Sequence, residues 1–403
     1  MIKKSEVMWN IIASIVTSIL SAILLMFCTR INGTEIAGMF SIAFATSIIL
    51  NGIGDYGIRL YQVTDSKRKY KFGEYRALRL IVTFIMLLIG IIFVFVSGYE
   101  LDKLLICLCL ILFRVIDNLS ETYQGEFQLQ GRMDIAGKSV VIRNVVAMIV
   151  FLLTDLITKN VIAATFMLFI TNAVLFIFYD MKKINKFTNE NINFNKIAIK
   201  NLLIQCLPVC ISTMLSLYIT NAVKYAIDNV GNYTMQTYYN IIYLPTFTIN
   251  LATSFIIKPM LRVFGEYWNN GKQEKLYKLI IEFIILVAIF TIILEIICMT
   301  IAIPILNVIY NVELNEYKID LLILVLSGAF YSISLLMLYI LTTIRKQTQT
   351  TIIYIIVSII AVVIPNLLVE KYGMRGATIS NLLVNLNLAL LLGLLYTFSI
   401  KNK

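Results

Sequence analysis

Histidine is absent from the 403 residues of the chain, and only 14% of the residues are charged. Without histidine the sequence lacks the commonest general base and a main ligand of zinc and haem. A soluble globular chain carries about 25% charged residues, because its surface has to meet water. The low charge and the hydrophobic content of 59% therefore exclude a soluble protein and predict a surface that mostly faces lipid.

Cysteine and proline are also scarce, with six and five residues respectively. Every cysteine lies inside an apolar stretch, which predicts free buried thiols rather than disulfides or metal ligands. We therefore assign no catalytic residue, no metal site and no organic cofactor. All five prolines lie in the second half of the chain, where they would act either as fixed kinks or as hinges.

Long apolar runs dominate the rest of the sequence. A helix needs about 20 apolar residues to cross a bilayer, and twelve runs approach or exceed that length. The first run is too long for a signal peptide and lacks a small-residue cleavage site, so we expect an uncleaved first span. The predicted spans are 7–29, 36–58, 78–97, 101–123, 135–156, 161–179, 202–226, 238–257, 276–300, 319–343, 352–369 and 377–400.

The basic residues predict the orientation of these spans. Of the 34 Lys and Arg residues, 24 lie in gaps on one side, six lie in gaps on the other, and four lie within spans. The first group includes Arg79. Cytoplasmic loops are enriched in Lys and Arg, so both termini are predicted to be cytoplasmic. The net charge of +11 does not indicate nucleic-acid binding, because the basic residues do not cluster with aromatics in a polar domain.

The longest polar gap divides the twelve spans into two sets of six. We predict an N-terminal lobe over 1–180, a solvated cytoplasmic linker over 181–200 and a C-terminal lobe over 201–403. Similar short segments, Asn32-Gly33-Thr34 and Val230-Gly231-Asn232, precede the second and eighth spans, which suggests two parallel repeats. The predicted fold is therefore an all-α polytopic membrane protein, with two six-helix lobes around a central cavity.

The fourth predicted span carries the densest set of polar residues. Arg114, Asp117, Glu121, Gln124 and Gln128 follow one another at steps of three or four, which places them on one helix face. A charge in mid-bilayer costs about 2.5–3.5 kcal/mol on insertion scales, so this face cannot meet lipid. We expect a cavity wall, in which a thiol at position 121 reacts with water-soluble reagents and a thiol at 111 does not. The alternative is an Arg114–Asp117 pair that only joins helices.

Other spans contain further isolated charges. Asp55 and Arg59 stand four residues apart, as do Lys224 and Asp228, a spacing that favours ion pairs on a helix. Arg143 has no acidic residue within four positions, which makes it a candidate to meet a substrate anion. The predicted substrate-binding residues are Arg59, Arg114, Arg143, Lys224, Gln124 and Gln128. The candidate residues for coupling to Na⁺ or H⁺ are Asp117, Glu121, Asp228 and Glu295.

Several short segments carry a resemblance to a known family. They are Gly33-Thr34-Glu35-Ile36-Ala37-Gly38-Met39-Phe40, Asp55-Tyr56-Gly57, Tyr123-Gln124-Gly125-Glu126-Phe127-Gln128-Leu129-Gln130-Gly131-Arg132, Lys224-Tyr225-Ala226-Ile227-Asp228 and Lys371-Tyr372-Gly373-Met374-Arg375-Gly376-Ala377. In their order and spacing, from the first span to the twelfth, they resemble the polysaccharide flippases. These Wzx-type exporters of O-antigen and capsule repeat units belong to the multidrug/oligosaccharidyl-lipid/polysaccharide (MOP) superfamily.

The resemblance implies a MATE/MOP-like transporter of the bacterial inner membrane rather than an enzyme. Its substrate would be an undecaprenyl-pyrophosphate-linked oligosaccharide, with membrane lipids around it, and basic cavity residues would meet the anionic headgroup. A polysaccharide polymerase and a chain-length regulator are partners that the resemblance leaves open. Two alternatives are a cation-coupled multidrug exporter, which should have an acidic cavity, and a membrane-integral polymerase, which would need a larger outer loop than any gap provides.

Overall fold

The computed structural model describes residues 4–65 and 68–401, and within these ranges the chain is helical with no strand. Thirteen α-helices follow one another along the chain. They are α1 (Lys4–Asp55), α2 (Ile58–Thr64), α3 (Phe72–Val96), α4 (Leu101–Leu129), α5 (Met133–Thr158), α6 (Val161–Leu175), α7 (Lys182–Ile184), α8 (Lys196–Asn229), α9 (Tyr233–Asn269), α10 (Gln273–Ile297), α11 (Ile303–Tyr310), α12 (Lys318–Thr343) and α13 (Gln347–Lys401).

Many of these helices expose large apolar side chains. Phe84 and Ile92 on α3 are 59% and 60% exposed, and Ile293 on α10 is 51% exposed. Water would disfavour such a surface, whereas lipid tails match it. Eight helical segments in the described part of the chain are long and apolar enough to cross a membrane. The chain is therefore a multi-pass membrane protein.

Two of the long helices are interrupted by a glycine with positive φ. In α1 the interruption is Gly33, at φ 85° and ψ 173°, and in α13 it is Gly373, at φ 55° and ψ −129°. Side chains other than hydrogen are strained in this region of φ, so glycine permits a break there. Each break separates two helices that the sequence predicts as separate spans.

Two short π-helices interrupt two further long helical segments. Phe176–Met181 follows α6 directly, and Cys298–Ala302 joins α10 to α11. A π-helix changes the direction in which successive side chains point, and such insertions are frequent at functional sites. The first of them contains Asp180, a completely buried carboxylate.

The chain forms two compact units, Met1–Leu217 and Tyr218–Lys403. The division falls inside α8. In the first unit α1 packs against α3, α4 and α5, and α4 also packs against α6. In the second unit α12 packs against α9, α10 and α13. The division of the chain into 1–180, 181–200 and 201–403 stays a prediction.

Within the first unit, the polar segment between α7 and α8 is bound to the start of α3. The Asn193 N–H donates to the Gly73 carbonyl at 3.0 Å, and the Gly73 N–H donates to the Glu190 carboxylate at 3.2 Å. Arg76 also donates to the Glu190 carbonyl at 3.1 Å. The side chains of 189–195 are exposed, in agreement with a solvated segment, but the segment is held against the first turns of α3.

Candidate functional site

A polar network fills the interior of the first unit, and α4 is its central helix. Asp117 on α4 accepts hydrogen bonds from two arginines. The Arg114 Nη1 atom lies 3.1 Å from Asp117 Oδ2, and the Arg143 Nη1 atom of α5 lies 3.3 Å from Asp117 Oδ1. One carboxylate is therefore bracketed by two guanidinium groups from different helices.

Arg143 continues the network to α6 and to the π-helix that follows it. It donates to Asn172 Oδ1 at 2.6 Å, and its Nε atom lies 3.7 Å from Asp180 Oδ2. Asp180 also accepts from the Ser120 hydroxyl at 2.6 Å and is fully buried. Sequence spacing indicated that Arg143 lacks an acidic neighbour, but the fold supplies two from other helices.

Arg79 on α3 forms a second centre in the same unit. Its guanidinium donates to Thr122 Oγ1 at 2.9 Å, to the Gly54 carbonyl at 2.6 Å and to the Asp55 carbonyl at 3.0 Å. Its ion-pair partners are Glu121 at 3.6 Å and Asp55 at 3.8 Å. Two carbonyls at the end of α1 are thereby satisfied by a buried charge from α3, so this arginine fixes the helix end.

Sequence reasoning missed Arg79, Asp180 and Asn172 as members of this site. Arg79 was counted with the basic gap residues, although it is the second residue of the predicted third span, and the structure buries it to 1% exposure. Asp180 is the last residue of the predicted N-terminal lobe and lies just outside the predicted sixth span, 161–179, so hydropathy does not mark it as an intramembrane charge. The signal that could have found them is a polar residue inside a span, of which Asn172 is an example.

The predicted pair between Asp55 and Arg59 is wrong. That pair requires a continuous helix, but the chain leaves α1 at Tyr56 and Gly57, whose φ angles are 50° and 67°. Asp55 lies by Arg79 instead, while Arg59 donates to Gln124 Oε1 at 2.8 Å. Gln124 in turn donates to Ser120 Oγ at 3.0 Å, which joins Arg59 to the Asp180 end of the network.

The network is balanced in formal charge. It contains four arginines, Arg59, Arg79, Arg114 and Arg143, and four carboxylates, Asp55, Asp117, Glu121 and Asp180. The side chains of Asp55, Asp117 and Glu121 are 28%, 21% and 30% exposed, against 1%, 13% and 3% for Arg79, Arg114 and Arg143. Three of the carboxylates are therefore more exposed than these three arginines, whereas Asp180 is completely buried.

The exposure of side chains along α4 differs between positions 121 and 111. Glu121 keeps 30% of its side chain accessible, whereas Ile111, ten residues earlier, is completely buried. The more exposed position is the one at which we expect a thiol to react with water-soluble reagents. The reactivity itself stays a prediction. Gln128 lies one turn beyond Gln124, half-buried near the end of α4.

The remaining predicted site residues belong to the second unit. Lys224 and Asp228 are half-buried on the last turns of α8, and Glu295 is half-buried near the end of α10. The described polar core of this unit contains one buried carboxylate, Asp320, which Arg375 pairs at 3.0 Å, together with amides and hydroxyls. Asn381 donates to the Tyr239 hydroxyl at 3.0 Å and accepts from Ser327 at 2.5 Å, and Asn385 donates to Ser327 at 2.9 Å. Among the described residues, the buried ion pairs are therefore concentrated in the first unit.

Comparison with known proteins agrees with this architecture. No protein-family profile matches the chain. A capsular polysaccharide biosynthesis protein of Staphylococcus aureus, CapF, is 23% identical over 381 residues, which are 92% of this chain and 93% of CapF.

Solved transporter structures share the fold, and the following three are among those that match. An inward-facing multidrug resistance MATE family transporter of the MOP superfamily gives a TM-score of 0.78 at 13% identity, over 95% of this chain and 94% of that one. A MOP superfamily transporter from Pyrococcus furiosus, whose binding pocket of reversed polarity suggests a different function, gives 0.63 at 14% identity, over 99% and 96%. The bent form of the Vibrio cholerae MATE transporter VcmN gives 0.61 at 13% identity, over 99% and 97%.

Proposed function

Since the chain has the fold of the MOP superfamily transporters, which confirms the resemblance drawn from its sequence, we propose that it is a flippase for a lipid-linked oligosaccharide. It moves an undecaprenyl-pyrophosphate-linked repeat unit from the inner to the outer leaflet of the bacterial inner membrane, for capsule, O-antigen or exopolysaccharide synthesis. The observation that carries this proposal is the similarity to CapF along nearly the whole of both chains. Two proteins that share only one domain would be similar over part of their length, not over nearly all of both chains.

The proposed topology has twelve crossings in two six-helix lobes around a central cavity, with both termini in the cytoplasm. Eight segments meet the length and hydropathy expected of spans, and two of these are divided by Gly33 and Gly373. Helices α4 and α9, which carry more polar residues, supply the last two. The excess of Lys and Arg in alternate gaps supports the cytoplasmic placement of both ends.

The two arginines that donate to Asp117 suggest how the headgroup is bound. A pyrophosphate carries about two negative charges, and its transfer into bare hydrocarbon is strongly unfavourable. Arg114 and Arg143 already hold one anionic group between them at 3.1 and 3.3 Å. In our proposal a phosphate oxygen replaces the Asp117 carboxylate, because guanidinium groups bind phosphate with parallel charge-assisted hydrogen bonds.

Such an exchange requires the carboxylate to move or to lose its charge. Proton or Na⁺ binding at Asp117 or Glu121 would weaken their pairs with the arginines. Arg114 and Arg143 would then be available to bind the substrate. Asp228 and Glu295 are the candidate coupling residues of the second unit. Amide replacement of each of these four acids, with flux measured against pH and Na⁺ concentration, tests this coupling. Wild-type flux in all four variants would contradict it.

The function is tested by deletion of the gene and by reconstitution. A deletion strain should accumulate lipid-linked repeat units that face the cytoplasm, and the purified chain in liposomes should move them between leaflets. Arg114→Ala and Arg143→Ala should abolish this flux, whereas Arg132→Ala, at an exposed ion pair outside the network, should retain it. A deletion strain with normal outward transfer would contradict the proposal.

Export of organic cations is the second candidate. It is supported by the multidrug resistance transporter among the matching folds and by the greater exposure of the network's carboxylates, which would attract a cation. An ethidium efflux assay separates the two functions. Strong export of ethidium, together with normal surface polysaccharide in the deletion strain, would favour drug export over the flippase.

A further inference from the structure

An open cavity of about 650 Å³ lies at one end of the second unit, apart from the charged network. Ligand pockets commonly have volumes of about 300–1,000 Å³, so its size suits a small molecule or part of a larger one. Its lining combines three tyrosines, Tyr238, Tyr317 and Tyr372, with charged and amide side chains. The proposed headgroup site, which lies in the first unit, does not include this cavity.

The cavity forms where three interruptions of the chain meet. Asn232 stands at the start of α9, Tyr317 ends the short 3₁₀ helix before α12, and Tyr372 flanks the break at Gly373. These interruptions belong to alternate gaps of the chain, and the proposed topology places that set of gaps outside the cell. The cavity therefore opens toward the face at which an exported oligosaccharide arrives.

The aromatic walls are held by their neighbours. The Tyr238 and Tyr317 rings lie 5.6 Å apart between centroids, at an interplanar angle of 54°. Asn232 Oδ1 accepts the Met235 N–H at 2.8 Å, which fixes the carboxamide at the rim. Tyr372 is 53% exposed, so a large part of its surface can still be covered by a ligand.

The charges around the cavity compensate one another. The Arg375 Nε atom lies 3.0 Å from Asp320 Oδ1, and the Thr378 hydroxyl donates to the same oxygen at 2.9 Å. The Lys371 ammonium lies 5.2 Å from the centroid of the Tyr372 ring, while Glu316 is exposed at the rim. Of the charged residues that line the cavity, Asp320 and Arg375 neutralise each other and Glu316 lies at the exposed rim, so an uncharged polar ligand fits best.

We propose that this cavity binds a neutral pyranose of the oligosaccharide on the outer face. Aromatic rings can cover the apolar C–H face of a sugar, and the amide, hydroxyl and carboxylate groups can satisfy its hydroxyls. This inference rests on the proposed function, because it assigns a binding site to the sugar part of the same substrate. It adds an outer subsite to a transporter whose headgroup site lies in the first unit.

The experiment is saturation-transfer NMR on the full chain in detergent. The probes are the methyl glycosides of glucose, N-acetylglucosamine and rhamnose, with tetramethylammonium as a cationic probe. At least one glycoside should receive saturation from the wild-type protein. Its affinity should fall roughly three- to tenfold in Tyr372→Ala, the loss expected for one aromatic contact, and it should also fall in Glu316→Gln.

The matched control is Tyr277→Ala, which removes an equally exposed tyrosine, at 55%, from α10 of the same unit. This control should leave glycoside binding unchanged. The inference would be overturned if no glycoside received saturation from the protein, if Tyr372→Ala bound the glycoside as tightly as the wild type, or if tetramethylammonium displaced the glycoside. Flux of lipid-linked oligosaccharide in liposomes separates the two proposals: wild-type flux without a glycoside site would refute the subsite alone.

Discussion

At the scale of single residues, the buried arginines differ in how they are held. Arg79 donates to two main-chain carbonyls and a threonine, so its partners are parts of the framework. Arg114 and Arg143 instead share one carboxylate on α4, the one that a phosphate replaces in our proposal. The same side chain therefore serves stability at position 79 and, in our proposal, substrate binding at 114 and 143.

Arg79→Gln should strongly destabilise the protein. The substitution leaves the Gly54 carbonyl and the carboxylates of Asp55 and Glu121 without their buried partner, and breaking a buried pair costs about 3–5 kcal/mol. Thermal unfolding in detergent measures this loss. Arg132→Gln is the control, because it breaks an ion pair whose arginine is 42% exposed and should cost less than about 1 kcal/mol. Equal shifts in the two variants would contradict a framework role for Arg79.

Asp117→Asn should strengthen the binding of an anion. Without the Asp117 charge, Arg143 keeps Asp180 at 3.7 Å, but Arg114 loses its ion-pair partner. We expect inorganic pyrophosphate to bind about tenfold more tightly, the effect of one charge-assisted hydrogen bond, and flux to fall because release is slower. Calorimetric titration measures the affinity. Asp134→Asn, at the surface pair with Arg132, is the control, and unchanged affinity at 117 would refute the exchange.

At the scale of elements, hydropathy predicted the helices but not their ends. The predicted eighth span covers 238–257, whereas α9 extends over Tyr233–Asn269. Main-chain hydrogen bonding continues a helix after its side chains become polar, so an apolar run marks only the part that can lie in lipid. Residues at the edges, such as Arg79 and Asp180, were lost from the predicted site for this reason. The polar residues on one face of α4 can be recognised from the sequence, because their regular spacing of three or four residues lies within a single helix.

Gly73→Ala should release the segment between α7 and α8. A methyl group at 73 would collide with the Asn191 carbonyl oxygen, and overpacking of this kind costs about 1–3 kcal/mol. Tryptic cleavage at the exposed Lys186 should therefore become roughly fivefold faster or more. Gly393→Ala is the control, because a methyl group at 393 in α13 has open space around it. Equal cleavage rates in the two variants would show that the segment is not held at Gly73.

At the scale of the whole molecule, charge is distributed unequally between the two units and along the chain. The first unit buries several ion pairs, whereas the described polar core of the second unit consists mainly of amides and hydroxyls, with the Asp320–Arg375 pair near one end. The gap charges predict the orientation, and this signal can be read from the sequence because it depends on composition alone. Which buried charges meet one another could not be read, because the partners of Arg143 come from two other helices.

The orientation predicts which introduced thiols are open to the outside. All six native cysteines are free and buried, so single new cysteines can be labelled with little background. Glu313→Cys and Asn270→Cys both change exposed residues of the second unit, on opposite predicted sides of the membrane. On protoplasts, a membrane-impermeant maleimide should label position 313 directly and position 270 only after permeabilisation. The reverse pattern would invert the topology, and would place the tyrosine-lined cavity on the cytoplasmic face, where no exported sugar arrives.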